Sequence, residues 1–142
     1  MAGGQGRAIR PSARVSRRRV STGGPWEAAA GYSRAIAVED TCYVAGTTDA
    51  GPDGRSLHPG DAAAQARAAF AIVEGALAQA GFTLDEVVRT RMYLVDPDDA
   101  PAVSAVHGEI FGRVRPAATL VVVARLMTPS LLVEVEAEAR KG

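Results

Sequence analysis

Hydrophobic and polar positions in this chain fall into two periodicities, one of two residues and one near that of a helix. Leu132 to Ala139 alternates strictly, with Val133, Val135 and Ala137 on one side and Glu134, Glu136 and Glu138 on the other. Thr119 to Ala124 is instead an almost continuous apolar, β-branched run, the pattern of a strand buried on both faces. Val87 to Val95 alternates again, Val88, Thr90, Met92 and Leu94 against Arg89, Arg91 and Tyr93. Two further short strands, Tyr32 to Val38 and Thr41 to Thr47, flank Glu39-Asp40, which reads as a tight hairpin turn.

Helical spacing appears twice. Asp61 stands as the cap of a long helix whose apolar face is Ala62, Ala66, Ala69, Phe70, Val73, Leu77 and Ala80. Gln65, Arg67 and Glu74 read as its polar face, and Gly81 as its end. Asp96 to Asp99 opens a second helix with the stripe Val103, Val106 and Ile110, ended by Gly112. The segment after Trp26 is small-residue and reads as helix-poor, and 48–60 reads as a loop. With Val15 to Ser21 as a weak first strand, the predicted order is β-β-β-α-β-α-β-β. That is an α+β domain, with two helices covering one face of a six-stranded, mostly antiparallel sheet.

The uncovered face of such a sheet would hold Tyr32, Arg34, Tyr43, Arg89, Arg91, Tyr93, Leu120, Val122, Glu134 and Glu136. The mixture is too apolar for a solvated face and too charged for a core. It suits a wet interface between subunits, with arginines opposite glutamates.

Composition narrows the reading. At 142 residues the chain has room for one core, and 47% hydrophobic with 23% charged residues is ordinary for a globular domain. Formal net charge is zero. The charge is uneven, because Arg7, Arg10, Arg14, Arg17, Arg18 and Arg19 precede any acid. Residues 1–18 read as a disordered Arg-rich extension and 19–142 as the folded domain. That leaves the domain net acidic and without basic-aromatic interleaving, which disfavours a nucleic-acid partner. A single Cys42 excludes an internal disulfide and fits a cytoplasmic location. No apolar run reaches the ~20 residues of a membrane span.

The segments GYSRAIAVEDTCYVAGTTD, AAAQARAAFAIVEGALAQAGF, VVRTRMYLVD and RPAATLVVVARL followed by LVEVEAEA together carry a resemblance. From about Val20 to its end the chain resembles the Rid family of reactive intermediate deaminases, also called YjgF/YER057c/UK114 and endoribonuclease L-PSP. The resemblance implies a chorismate-mutase-like fold and a homotrimer with a small-molecule cleft at each subunit boundary. It implies no metal or organic cofactor. Active relatives hydrolyse 2-imino acids or their enamine tautomers to 2-oxo acids and ammonia.

Carried over residue by residue, the resemblance makes Glu134 the water-directing carboxylate and Tyr32 the tyrosine of the site. It also implies departures. The carboxylate-binding arginine of active relatives is Ala118 here, a cysteine position is Leu120, an asparagine is Ser104 and a serine is Ala45. Loss of a bidentate arginine removes the main reason for an anionic substrate to bind, so 2-iminobutanoate is not the expected substrate. The resemblance therefore points to the branch that lacks this arginine. Arg34 or Arg91 is a candidate relocated cation, although Arg91 has a plain alternative in pairing with Glu134 or Glu136. Trp26 either lines the cleft or simply packs. His58 and His107 have no metal-binding companion in the sequence and are assigned no role. Three expectations follow: a hydrolase for an imine, enamine or related metabolite, a non-catalytic binding trimer using the same cleft, and, weakest, a ribonuclease-type role.

Overall fold

The computed structural model describes residues 14–142. The first thirteen residues, most of the predicted extension, lie outside the described residues. The elements are β1 (Arg17–Val20), α1 (Pro25–Ala30), β2 (Ala35–Val38), β3 (Thr41–Thr47), α2 (Ala62–Gln79), β4 (Val87–Leu94), α3 (Ala100–Phe111), β5 (Ala117–Val122) and β6 (Val133–Arg140). Short 3-10 turns precede β4 and α3. Arg17 and Arg18 thus belong to the sheet rather than to the extension. Arg18 reaches across to donate a hydrogen bond of 2.7 Å to the Ala80 carbonyl at the end of α2.

The six strands form one sheet in the order β1-β2-β3-β6-β4-β5. All pairs are antiparallel except β4–β5, which is parallel and spans the α3 crossover. Helices α2 and α3 cover one face, and their apolar stripes meet Cys42, Val44, Met92, Leu94, Val133, Val135, Ala137 and Ala139 in a single core. The alternation of β6 is realised in full, valines and alanines buried and glutamates on the open face. Asp61 caps α2 by accepting from the Ala64 amide at 2.9 Å, and Gly81 follows the helix at φ 84°, a left-handed conformation suited to glycine.

Several local expectations are corrected. The small-residue stretch after Trp26 is a helix, α1, begun by Pro25 at its first turn and closed by Gly31 at φ 71°. Strand β2 starts only at Ala35, so Tyr32 lies in the turn that follows α1. Gln65 does not face solvent. It is fully buried, donating from Nε2 to the carbonyls of His58 and Ser130 and accepting at Oε1 from the Leu132 amide. Two chain segments with no ladder partners are satisfied by this one amide, which is why a polar residue is retained there. In β4 a register shift between Val87 and Arg89 buries Val87 and turns Val88 outward.

Strand β5 departs most. It is an edge strand, paired only with β4, and its apolar run is not buried on both faces: Val121 and Val122 are 41% and 48% exposed. Its phase also differs from the expectation. Leu120 pairs with Met92 and Val122 with Leu94, both buried, which places Ala118, Leu120 and Val122 on the helix side. Thr119, not Leu120, shares the open face with the arginines, and Arg89 Nη2 donates to its hydroxyl at 2.7 Å. A continuous apolar run has no polar alternation to fix its phase, so only the pairing with β4 decides it.

Candidate functional site

The residues singled out by sequence fall into three places. The first is the end of the sheet where β3 and β6 meet the turn after α1. Glu134 leaves β6 on the open face and lies over Gly46, where the backbone of β3 is irregular between Val44 and Thr47. A Cβ on Gly46 would stand 2.7 Å from Glu134 Oε2, so only a glycine lets the carboxylate settle there. Arg34 sits beside it, donating to Thr47 Oγ1 at 2.8 Å and to the Gly46 carbonyl at 3.1 Å. Its guanidinium carbon is 5.9 Å from the centre of the Tyr32 ring, a cation–π distance. The Ala45 amide donates to the Arg34 carbonyl at 3.0 Å, which ties the turn to β3.

Electrostatics mark Glu134 out. Burial raises its pKa, the neighbouring Glu136 raises it further, and Arg34 opposes both. A carboxylate poised above its ordinary range and set beside a cation is suited to hold and deprotonate water.

Glu27, which the sequence reading passed over, builds the wall of this end. From α1 its Oε2 accepts from Thr22 Oγ1 at 2.6 Å and from the amides of Thr22 and Gly24, and Oε1 accepts from the Arg34 amide at 3.3 Å. These donors, the Thr22 hydroxyl foremost, hold its pKa down at about 2 despite burial. The carboxylate therefore fixes the backbone of Arg34 while Trp26, on the same helix, stays 60% exposed.

The second place is the middle of the open face. Arg91 donates to Glu138 at 3.0 Å and lies 3.5 Å from Glu136, while the Tyr93 hydroxyl donates to Glu136 at 2.6 Å. Of the two pairings expected for Arg91, the one with Glu136, its register partner, is present and the one with Glu134 is not; the shorter contact is the diagonal one to Glu138. Arg91 is thereby neutralised, and Arg34 is the cation adjacent to Glu134.

The third place is the β5 edge on the helix side, where Ala118 and Leu120 lie; Ser104 is exposed on α3, the helix of the β4–β5 crossover. Glu134 and Ala118 stand on opposite faces, two strand spacings apart across β4 and three residues apart along it, so roughly 14 Å of sheet separates their backbones. One copy of the chain does not bring these two halves together. Among the described residues no cluster of three or more His, Cys, Asp or Glu side chains is placed to hold a metal ion. No described helix is long and apolar enough to cross a membrane.

A sequence profile of the endoribonuclease L-PSP family matches residues 24–141. The chain belongs to the Rid/YjgF family. Among relatives of this Rid protein, SCO2049 of Streptomyces coelicolor is 41% identical over 125 residues, covering 88% of this chain and 92% of the relative. The 3-aminoacrylate deaminase RutC of Acinetobacter baylyi is 34% identical over 108 residues, covering 76% and 85%. The crystal structure of Rv2704 from Mycobacterium tuberculosis, of the YjgF/YER057c/UK114 family, superposes with a TM-score of 0.81 at 45% identity, covering 89% of this chain and all of that one. The YjgF product of E. coli does so at 0.75 and 26% identity, covering 88% and 99%. The chorismate-mutase-like α+β fold expected from the sequence fits this family.

Proposed function

We propose that this Rid protein is a deaminase-type hydrolase for an imine, an enamine or a related small metabolite, working in a homotrimer at a cleft between subunits. The observation that carries the reading is Glu134, raised in pKa, seated over Gly46 and next to Arg34. Water held by that carboxylate adds to the C=N carbon, and the resulting carbinolamine collapses to a carbonyl compound and ammonia. The relative named 3-aminoacrylate deaminase supports this reaction class. The split of the site residues between two faces, with an apolar β5 edge left uncovered, supports completion of the site by a second copy.

The methyl group of Ala118, in place of a guanidinium, argues against 2-iminobutanoate as the natural substrate. The test is imine hydrolysis with the imine released in place, by an amino-acid oxidase for 2-iminobutanoate and by a flavin amine oxidase for uncharged imines. Loss of the protein-dependent rate in Glu134→Gln, with assembly intact, is expected. Saturable binding of such compounds without any acceleration would leave the non-catalytic binding trimer as the function.

A further inference from the structure

We propose that His107 is a second proton-handling residue of this site, at the β5 edge. The inference rests on the hydrolase reading above. His107 lies on α3 and reaches down to β4, where Nε2 is 2.8 Å from Thr90 Oγ1. Thr90 is fully buried and pairs in register with Ala118, so the imidazole is one strand in from the open edge, beside a methyl group. The ring is clamped by aromatic contacts, 4.7 Å from Phe111 and edge-on to Phe70 at 5.8 Å. A side chain held by one hydrogen bond and two rings has little freedom, as an acid–base group requires.

Its other nitrogen is available. Nδ1 has no protein partner among the described residues, yet it is not among the sealed, unpaired polar atoms, which are Asp49 Oδ1 and Arg89 Nε. It therefore reaches solvent. Ser104 lies one turn earlier on the same helix, and a Cβ on Gly108 would meet nothing within 4 Å, so this flank of α3 is open.

The surroundings keep the ring neutral. β4 presents Thr90, α2 presents Phe70 and α3 presents Phe111, none of them charged. Glu109 on the same helix turns away to Arg67 at 3.1 Å, and Arg113 is held by Asp85. Burial alone pushes the imidazole pKa below its ordinary value. We assign the proton of the neutral ring to Nε2, which then donates to Thr90 Oγ1 and leaves Nδ1 with a lone pair.

In the reaction, water adds to the carbon of a protonated imine and its proton passes to Glu134 of one copy. The protonated Glu134 then gives that proton to the amino nitrogen of the carbinolamine. The C–N bond breaks, its electron pair leaving with ammonia, while the hydroxyl proton moves to Nδ1 of His107 and the C=O bond forms. His107 releases the proton to solvent, so iminium and water yield carbonyl compound, ammonia and a proton.

The test is the pH–rate profile of imine hydrolysis by the intact protein. Wild type is expected to lose activity on the acid side through two ionisations, Glu134 and His107. His107→Gln is expected to lower kcat by roughly 100-fold with KM little changed, and to leave a single ionisation. His58→Gln serves as the control and keeps the wild-type profile. A His107→Gln profile that overlays wild type overturns the proposal while leaving the hydrolase reading in place. If no imine is turned over, the hydrolase reading fails, and nitrogen NMR of the ring then decides this proposal by itself. An unprotonated Nδ1 whose resonance moves on adding 2-oxobutanamide, an uncharged product analogue, supports it. A protonated Nδ1, or a resonance that does not move, overturns it.

Discussion

Glu134 and Gly46 share a space that a methyl group would fill: the carboxylate oxygen lies 2.7 Å from the position of a Gly46 Cβ. The obstruction is the tip of a flexible side chain, so Gly46→Ala is expected to displace the carboxylate rather than the backbone. Stability should change by less than ~1 kcal/mol. Hydrolysis should fall by about 100-fold, the loss that a misplacement of ~1 Å produces. Thermal denaturation and an imine-hydrolysis assay on the same variant check both halves. A variant that unfolds, or one with full activity, contradicts the geometry.

Burial leaves Glu134 costly to ionise. A raised folded-state pKa means that the stability linked to the protonated form is present below the unfolded-state value and lost as pH rises through the folded-state value. Glu134→Gln removes the charge and keeps the shape. Its melting temperature should exceed that of wild type at pH 7 and converge on it below pH 4. An unchanged difference across that range would mean that the carboxylate is not destabilised by burial.

Glu27 obeys the opposite sign. Its pKa of about 2 against an ordinary 4.5 means that its stabilisation is present above the ordinary value and lost as pH falls toward 2. Glu27→Gln leaves donors of Thr22 and Gly24 poorly paired, which should cost about 1–3 kcal/mol at neutral pH. Denaturant unfolding at pH 7 and at pH 2.5 should show a large difference and then a small one. Because Glu27 holds the Arg34 amide, activity is expected to fall with stability.

How much of this was legible depends on what each residue answers to. The alternation of β6 and the stripe of α2 are written locally, so the sheet and the core follow from the sequence, whereas alternation treats Glu134, Glu136 and Glu138 alike and only the family resemblance singles out Glu134. Gln65 reads as solvent-facing because its partners, Ser130 and Leu132, are 65 and 67 residues away. α1 is only six residues and is secured by Glu27, whose bonds to Thr22 and Arg34 no periodicity announces. His107 gives no motif, since its partner Thr90 lies on another element seventeen positions back. Gly46 is one glycine among fifteen until Glu134 folds across it.

Strand β5 offers a test of assembly. Val122 is 48% exposed on an edge strand, and if the edge faces only water, Val122→Lys should alter stability by no more than ~0.5 kcal/mol and leave the molecular mass unchanged. If a second copy covers it, the buried ammonium should break the assembly. Light scattering is expected to give about three times the 14.7 kDa chain mass for wild type and a smaller species for the variant. A monomeric wild type would refute the trimer outright.

The same edge decides substrate charge. Ala118 is exposed and pairs with Thr90, so a longer side chain there displaces no core atoms, and Ala118→Arg should fold with stability within ~0.5 kcal/mol of wild type. A guanidinium at this position can grip a carboxylate with two parallel hydrogen bonds, and a charge-assisted bond is worth about 1.5–3 kcal/mol. The variant should therefore hydrolyse 2-iminobutanoate at least ~10-fold faster than wild type at low substrate, mainly through a lower KM. Ala118→Lys, a point charge without the planar fork, should gain less. Activity will stay below that of a site evolved for the purpose, since Leu120, Ser104 and Ala45 still depart from the pattern and positioning is sensitive to small errors. The uncharged imines serve as the comparison: their hydrolysis should not improve, because they have no carboxylate to bind. Equal gains on both substrates would show that the arginine acts on the fold or on His107, and a wild type already fast on 2-iminobutanoate would show that Ala118 was never the obstacle.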